Sequence, residues 1–377
     1  MSARSLATSW HYRSSPGNRL TLYTVGDEAF EAAFDAVRTA RERVWVETYI
    51  FEPDEVGNML RDALVDAAHR GCSVILIFDR WGSPKIGESY AQPILDAGGQ
   101  VAIYNPVFPW RRLGRKIAPV FHRDHRKILI TDDVGFCGGA NVSLDYGGPG
   151  PELFYDLTLK IEGPAVQDLA ALFLETLRET GASTPDLPTR PNPFPDGVPA
   201  EVLSLDARQG EKDFDHALQE LLAGAQECCL LMTPYFVPPN WFREALKDAA
   251  RRGVRVEVLT AGKSDVPLAR VAGRHLYREL LEAGVRVFEM QHPVLHAKCL
   301  TIDHRYSIVG SYNVDTYGSK YNLEVGIASS DTNLAAQLEE EFRRRTADAR
   351  KIVLEEWVKR PLRARLFQRL MYTVFKI

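Results

Sequence analysis

What the chain lacks narrows it first. No run in its 377 residues approaches the roughly 18 consecutive apolar residues that a spanning helix needs, so any membrane association is expected to be peripheral. The opening stretch, MSARSLATSWHYRSSPGN, has no apolar segment of the kind that marks a secretion signal. Cysteine is scarce, with five residues, Cys72, Cys137, Cys228, Cys229 and Cys299. None forms a C-x-x-C pair and four sit in apolar strand-like runs, which reads as buried free thiols in a reducing compartment. Positive charge is not in excess. A formal net charge of −4 argues against a generic polyanion binder and weakens a nucleic-acid reading without removing it. No carboxylate cluster resembles a metal site, so neither a metal ion nor another cofactor is expected. The 45% apolar and 25% charged content is ordinary for a soluble globular protein, and the length suffices for two domains, each with a core.

What the chain has, it has twice. HRKILITDDVGFCGGAN (residues 125–141) returns as HAKCLTIDHRYSIVGSYN (residues 296–313). Each copy opens with His-x-Lys (His125 and Lys127, His296 and Lys298) and places an Asp five positions after the Lys (Asp132, Asp303). Each closes on Gly-(Gly/Ser)-x-Asn, at Asn141 and Asn313. The two differ by one residue between Asp and Gly, which a turn can absorb. Strand-like and helix-like segments alternate in the same order around both copies, which argues a layered α/β architecture. Arg70-Gly71 matches Arg252-Gly253, and LDAGGQVAIYNP (95–106) matches LEAGVRVFEMQHP (281–293). The periodicity gives a loose arm over 1–17, a first lobe over 18–181 and a second over 201–350. Between the lobes, residues 182–200 hold six prolines, which cannot continue a helix or a central strand, and read as a linker. Residues 351–377 form a basic amphipathic segment.

Two imidazoles, two ammoniums and two amides around one cleft suit a phosphodiester. The lysines neutralise the non-bridging oxygens and the asparagines donate to them. One histidine attacks phosphorus, giving a phosphohistidine, and the other protonates the leaving alkoxide and then deprotonates the acceptor. The lysines supply the charge a metal would otherwise bring. Each imidazole needs an acceptor on its other nitrogen. Asp156 and Glu324, each on the strand after its motif, are expected to orient the histidine of their own lobe. Asp132 and Asp303, at strand ends, are expected to fix the turns outside the reacting shell.

The paired His-x-Lys-x4-Asp motifs with their Gly-(Gly/Ser)-x-Asn tails resemble the phospholipase D superfamily over about residues 18–345. Within it, ETYIF (47–51), FDRWGSP (78–84), HRDHRKILITD (122–132), IEGPAV (161–166) and TPYFVP (233–238) are most similar to bacterial cardiolipin synthases, in their short form without N-terminal membrane helices. The resemblance implies an α/β fold of two pseudo-twofold-related phospholipase D-like lobes. Each would be a mixed β-sheet flanked by helices, and the two would share one active-site cleft. It also implies phosphatidyl transfer to an alcohol, with the first-lobe histidine, here His125, as nucleophile.

Two segments bear on the substrate. Residues 107–121 precede only the first motif and mix Phe108, Trp110 and Phe121 with Arg111, Arg112, Arg115 and Lys116. Aromatic-plus-basic rims suit an anionic bilayer interface, single-stranded nucleic acid, or simply a solvated loop. From Arg343 to Lys376 there are eleven Lys or Arg against three acids, and Leu362, Leu366, Leu370 and Val374 recur at helical spacing. That fits a helix lying in an anionic lipid surface or one docked on its own core. The function expected is phosphatidyl transfer that makes cardiolipin from phosphatidylglycerol and a second phospholipid, at the cytoplasmic side of the cell membrane. Phospholipids and an anionic membrane surface are the expected partners, and nucleic acid is not. Hydrolysis of phospholipid or nucleic acid by the same residues is the alternative enzyme, and a lipid-binding protein without activity is the third class. Intact His, Lys and Asn in both lobes speak against that last class.

Overall fold

The computed structural model describes residues 14–106, 121–148, 153–210 and 212–376. The first lobe is built on β1 (Ser15–Tyr23), β2 (Arg43–Thr48), β3 (Ser73–Asp79), β4 (Gln100–Tyr104), β5 (Arg123–Asp124), β6 (Ile128–Thr131), β7 (Val134–Gly138), β8 (Phe154–Tyr155) and β9 (Thr158–Glu162). The second repeats it with β10 (Val198–Asp206), β11 (Cys228–Met232), β12 (Arg255–Ala261), β13 (Arg286–Met290), β14 (Val294–Leu295), β15 (Cys299–Ile302), β16 (Tyr306–Gly310) and β17 (Asn322–Ser329), plus an edge strand β18 (Arg350–Lys351).

Pairing makes the duplication visible. The first lobe reads β4-β3-β2-β6-β7-β9-β1 across its sheet, and the second reads β13-β12-β11-β15-β16-β17-β10. Antiparallel β1–β10 joins them into one continuous mixed sheet. β2, β3 and β4 run parallel, as do β11, β12 and β13, and a parallel neighbour requires a crossover. Helices Glu55–His69 and Glu88–Asp96 supply it in the first lobe, and helix Asn240–Arg251 supplies one in the second. The Arg-Gly pairs end matching helices. Gly71 (φ +90°) and Gly253 (φ +95°) reverse the chain, so that the amides of Cys72 and Val254 bond back to Ala67 and Ala249. A side chain at either glycine would force a conformation that L-residues rarely adopt.

The strand begins at Ser15, so the arm expected over 1–17 gives way three residues early. Ser15 Oγ donates to Asp168 (2.6 Å) and Asn18 ties β1 to Val198 O and the Ala165 amide. Likewise Val198–Ala200, expected as linker, belong to β10. Pro199 sits next to the strand start, where a missing donor is tolerated. β11 stops at Met232, ahead of Pro234. All five cysteines are buried and unpaired.

The two outer faces of the sheet have separate apolar cores. A third core, under helices Ala165–Thr180 and Thr332–Ala347, takes Ile77, Leu157 and Leu172 from one lobe and Leu259, Val325 and Leu338 from the other. The lobes are therefore packed into one another. Polar side chains are buried in this layer as well. Arg126 donates to Thr176 Oγ1 (2.9 Å), and Thr176 donates to Glu47 Oε1 (2.9 Å). The Asp124 carboxyl is a neighbour of Glu47, and Glu47 Oε2 and Asp124 Oδ2 lack other donors. Burial, only partly offset by Arg126, pushes Glu47 up to about 7 and Asp124 above its ordinary range. A carboxyl whose folded pKa is raised stabilises the fold fully below its unfolded pKa, and that contribution is lost as pH rises through about 7. Glu47→Gln, which keeps the oxygen facing Thr176, is expected to leave the melting temperature near pH 5 almost unchanged. At pH 8 it should stabilise by about 1–3 kcal/mol. A variant less stable than the parent at pH 8 would show instead that Glu47 serves as an ionised partner of Arg126.

Candidate active site

Each motif histidine is placed by a two-residue strand. β5 pairs in parallel with the start of β17 (Arg123 with Asn322, Asp124 with Leu323), and the His125 amide continues the ladder to Leu323 O at 3.0 Å. β14 pairs in parallel with β8 (Val294 with Phe154, Leu295 with Tyr155), and the His296 amide donates to Tyr155 O at 2.8 Å. Each of these ladders crosses between lobes. Glu324 and Asp156 each follow directly on the paired residues, so each acid is delivered to the opposite histidine.

His125 Nδ1 lies 3.0 Å from both oxygens of Glu324, and His296 Nδ1 lies 2.6 Å from Asp156 Oδ2. The expectation that each acid orients the histidine of its own lobe is overturned. The exchanged short strands bring acid and histidine together across the lobe boundary. With the carboxylate accepting from Nδ1–H, the lone pair of each ring sits on Nε2. Both rings, together with Asn141 and Asn313, line a single cleft of about 790 Å³.

The Gly-(Gly/Ser)-x-Asn tails serve these carboxylates. A Cβ on Gly138 would lie 2.3 Å from Leu157 O, and one on Gly310 the same distance from Val325 O, so the first glycine permits close strand approach. At the second position the lobes diverge. A Cβ on Gly139 would lie 2.3 Å from Asp156 Oδ1, so glycine there leaves room for the acid. Ser311 instead donates its hydroxyl to Glu324, which also accepts from Asn322 Nδ2 at 2.9 Å.

Asn141 accepts from the Ile50 amide (3.2 Å) and donates to the Tyr146 hydroxyl (2.7 Å), which stands 3.3 Å from His296 Nε2. Thr233 holds the Asn313 carbonyl. Lys127 Nζ donates to His125 O at 2.7 Å and lies over the Tyr49 ring. Lys298 Nζ packs against His296 and lies 3.7 Å from Asp156. Burial lowers all four cations or potential cations. His296 falls to about 4, with Lys298 adding to the effect. Lys127 falls to about 7, and His125 and Lys298 fall below their ordinary values. An anionic phosphodiester between them would push each back up.

Asp132 and Asp303 face away from this chemistry. Each has a positive φ (+47° and +52°) and accepts from three successive amides. These are Arg41, Glu42 and Arg43 for Asp132, and Gln226, Glu227 and Cys228 for Asp303. The one-residue difference in spacing is a two-residue turn between Thr131 and Val134 against a three-residue turn between Ile302 and Tyr306. The expected rim residues Phe108, Trp110, Arg111, Arg112, Arg115 and Lys116 lie outside the described residues. Among the described residues, one group has metal-ligand spacing, Cys228, His304 and Glu339. It is on the turn side of the second motif, where His304 Nδ1 already meets Glu339 at 2.7 Å.

Sequence reasoning missed three tyrosines. Tyr49 and Tyr146 stand edge-on to His125 and His296, with centroids 5.1 Å away in each case, and Tyr235 approaches His296 at 6.4 Å. For Tyr49 and Tyr235 the available signal was the repeat itself, since they follow the corresponding strands β2 and β11.

Comparison with known proteins identifies the family. The family model described as "Cardiolipin synthase, PLD-like domain" matches residues 34–176 and 218–346. Cardiolipin synthase B of Escherichia coli O6:H1 is 33% identical over 323 residues, covering 84% of this chain and 78% of that protein. Cardiolipin synthase A of Pseudomonas fluorescens is 33% identical over 343 residues, covering 90% and 71%. Among solved structures, phosphatidylserine synthase of Haemophilus influenzae superposes with a TM-score of 0.77 at 16% identity, over 100% of this chain and 99% of that one. Polyphosphate kinase of Porphyromonas gingivalis superposes at 0.59 and 13% identity, over 95% and 52%. Those two share the fold. With both lobes matched by the family model and relatives one-third identical along more than four-fifths of its length, the protein belongs to the cardiolipin synthase family of phospholipase D-like enzymes.

Proposed function

We propose that this phospholipase D-type phosphatidyltransferase makes cardiolipin from phosphatidylglycerol and a second phospholipid, phosphatidylglycerol or phosphatidylethanolamine, through a phosphohistidine. The observation that carries the reading is the opening of two carboxylate-held imidazoles, one from each lobe, onto one cleft. His125 Nε2 attacks phosphorus. Both oxygens of Glu324 hold this ring, and Ser311 and Asn322 hold Glu324 in turn. His296 gives its proton to the leaving alkoxide and then takes one from the incoming hydroxyl. That hydroxyl oxygen bonds to phosphorus as the P–N bond to His125 breaks. The two lysines and the amides of Asn141 and Asn313 stabilise the charge that gathers on the non-bridging oxygens. With water as acceptor the same steps give hydrolysis.

The surface around the cleft supports a lipid substrate. Trp81, Phe121, Val266, Tyr317 and Val374 line the cleft and are exposed as well. The C-terminal helix, Leu362–Phe375, continues this apolar rim. It docks on the second lobe through Gln368, which Arg360 holds, and Tyr372, which packs on His275. Its Leu362, Leu366, Leu370 and Val374 row faces outward, more than half exposed throughout. Its polar face is docked, as one of the two sequence readings expects, and its apolar face is left outward for the lipid surface that the other proposes. Arg363, Arg365, Arg369 and Lys376 complement an anionic surface at about 1 kcal/mol each. No helix among the described residues is long and apolar enough to cross a membrane. We place the enzyme peripherally on the cytoplasmic face, where the five unpaired thiols fit a reducing compartment.

Incubation of the protein with phosphatidylglycerol, alone and with phosphatidylethanolamine, should yield cardiolipin identified by mass. His125→Ala and His296→Ala should each lower the rate at least about a thousandfold, as expected for members of one catalytic unit. Near-normal rates in either variant would refute the shared cleft, and a phosphoryl group trapped on His296 would reverse the two histidine roles. The first step needs Lys127 charged, so kcat/KM should fall above about pH 7. His296, neutral in the free enzyme, takes up the proton it donates as the anionic phosphodiester enters. In kcat the alkaline limb should move upward, because bound phosphate favours the lysine cation. An alkaline limb at the same pH in both would remove Lys127 from phosphate binding. Truncation after Pro361 should weaken binding to anionic vesicles at low salt while the fold persists by circular dichroism. Unchanged binding would assign membrane contact to another part of the surface.

A further inference from the structure

Because the lobes are copies, the places where the cleft is not symmetric carry information about the substrate. The first motif ends Asn141-Val142-Ser143 and the second ends Asn313-Val314-Asp315. After the third strand of each lobe the chain runs Asp79-Arg80-Trp81 in one and Ala261-Gly262-Lys263-Ser264-Asp265 in the other. Asp265 and Asp315 both line the cleft, and neither is occupied by a histidine. Tyr235, which approaches the His296 ring, donates its hydroxyl to Asp265 at 2.6 Å, and Asp315 accepts from the Gly318 amide at 2.6 Å.

Two further groups on the same wall point to a ligand. Asn313 and Asn322 line the cleft, and they are only 5% and 8% exposed. The Oδ1 atom of each has no donor. For Asn322 the amide orientation is fixed, because its Nδ2 donates to Glu324. A buried carbonyl oxygen left unpaired is destabilising. The acceptor oxygens of these four side chains repel a phosphate oxygen, for which the Nδ2 of Asn313 remains as donor. They match a group that only donates.

We infer that Asp265, Asn313, Asp315 and Asn322 form the subsite for the alcohol headgroup, which they recognise by its hydroxyl or ammonium donors. The inference rests on the transferase reading above. The leaving alcohol of the donor lipid and the incoming alcohol of the acceptor occupy it in turn, since both exchange a proton with His296. Two headgroups carry the required chemistry: glycerol through hydroxyls, and ethanolamine through an ammonium. The ammonium meets the Asp265 carboxylate and favours ionisation of Asp315, which burial otherwise pushes up to about 7. Asp265→Asn and Asp315→Asn retain the oxygens that Tyr235 and Gly318 use and remove that charge.

The test uses the full chain on mixed vesicles of phosphatidylglycerol and phosphatidylethanolamine, with released glycerol and ethanolamine measured together. Their ratio is independent of how much enzyme is folded, so a merely structural defect does not move it. Each variant is expected to lower ethanolamine release relative to glycerol release about tenfold or more, a factor that corresponds to about 1.4 kcal/mol. A ratio within about twofold of the parent in both variants overturns the subsite, given how large a charge–ammonium contact is at a partly buried site. If the parent releases glycerol only, the subsite is one for hydroxyl donors. Asp265→Ala must then raise the KM for phosphatidylglycerol about fivefold or more, and an unchanged KM overturns the subsite. If the parent turns over neither lipid, the transferase reading fails and the subsite with it.

Discussion

Two ladders of two residues each decide what this protein is. The pairing of β5 with β17 and of β14 with β8 sends the segment before each histidine into the opposite lobe, next to the strand that bears the opposite carboxylate. An imidazole buried as deeply as His125 or His296 would otherwise have no acceptor for Nδ1–H, and the ring could rotate or switch tautomer. The exchange makes each half of the site depend on both halves of the chain. It also explains why the lobes share a core along helices Ala165–Thr180 and Thr332–Ala347. A hinge at this seam would separate each histidine from its acid.

Burial then sets the chemistry. Lowering Lys127 and both histidines is the cost of burying them, and an entering phosphodiester offsets it by bringing negative charge. Such a site binds its substrate partly by restoring its own cations, so binding and proton uptake are coupled. Glu47 and Asp124 belong to the same layer and reach the opposite outcome. Two carboxyls near one Arg126 cannot both stay ionised in a dry interior, and the proton they retain lets a polar network be buried behind the catalytic strands.

Much of this was legible in the residues. Helices and strands follow from apolar periodicity, and the repeat of His-x-Lys with its Gly-x-x-Asn tail marked, once in each lobe, the histidine and asparagine that line one cleft. Five of the six prolines read as linker lie outside any strand, and Pro199 falls within β10. The crossing was not legible. A two-residue strand such as Val294–Leu295 has no period to detect, and nothing local tells which of two equivalent acids a histidine will meet. Partnership there depends on the path of the chain through space, which a repeat leaves ambiguous by its own symmetry. Gly139 shows the same limit. In sequence it looks like a variant of Ser311, whereas in space one leaves room for a carboxylate and the other binds one.

The symmetry also ends where the reaction requires it to end. The proposed reaction, a double displacement at one phosphorus, uses two equivalent halves for the chemistry, and the paired histidines, lysines and asparagines are accordingly alike. Its substrate is not symmetric, being a diacyl body on one side and a small polar alcohol on the other. The departures from the repeat divide in the same way. Apolar rings and the outward leucine row of the C-terminal helix gather at the mouth, and the acceptor-rich side chains gather on the second-lobe wall. On the proposed reading the repeat supplies the bond-breaking parts, and the differences between the copies tell the two ends of a lipid apart.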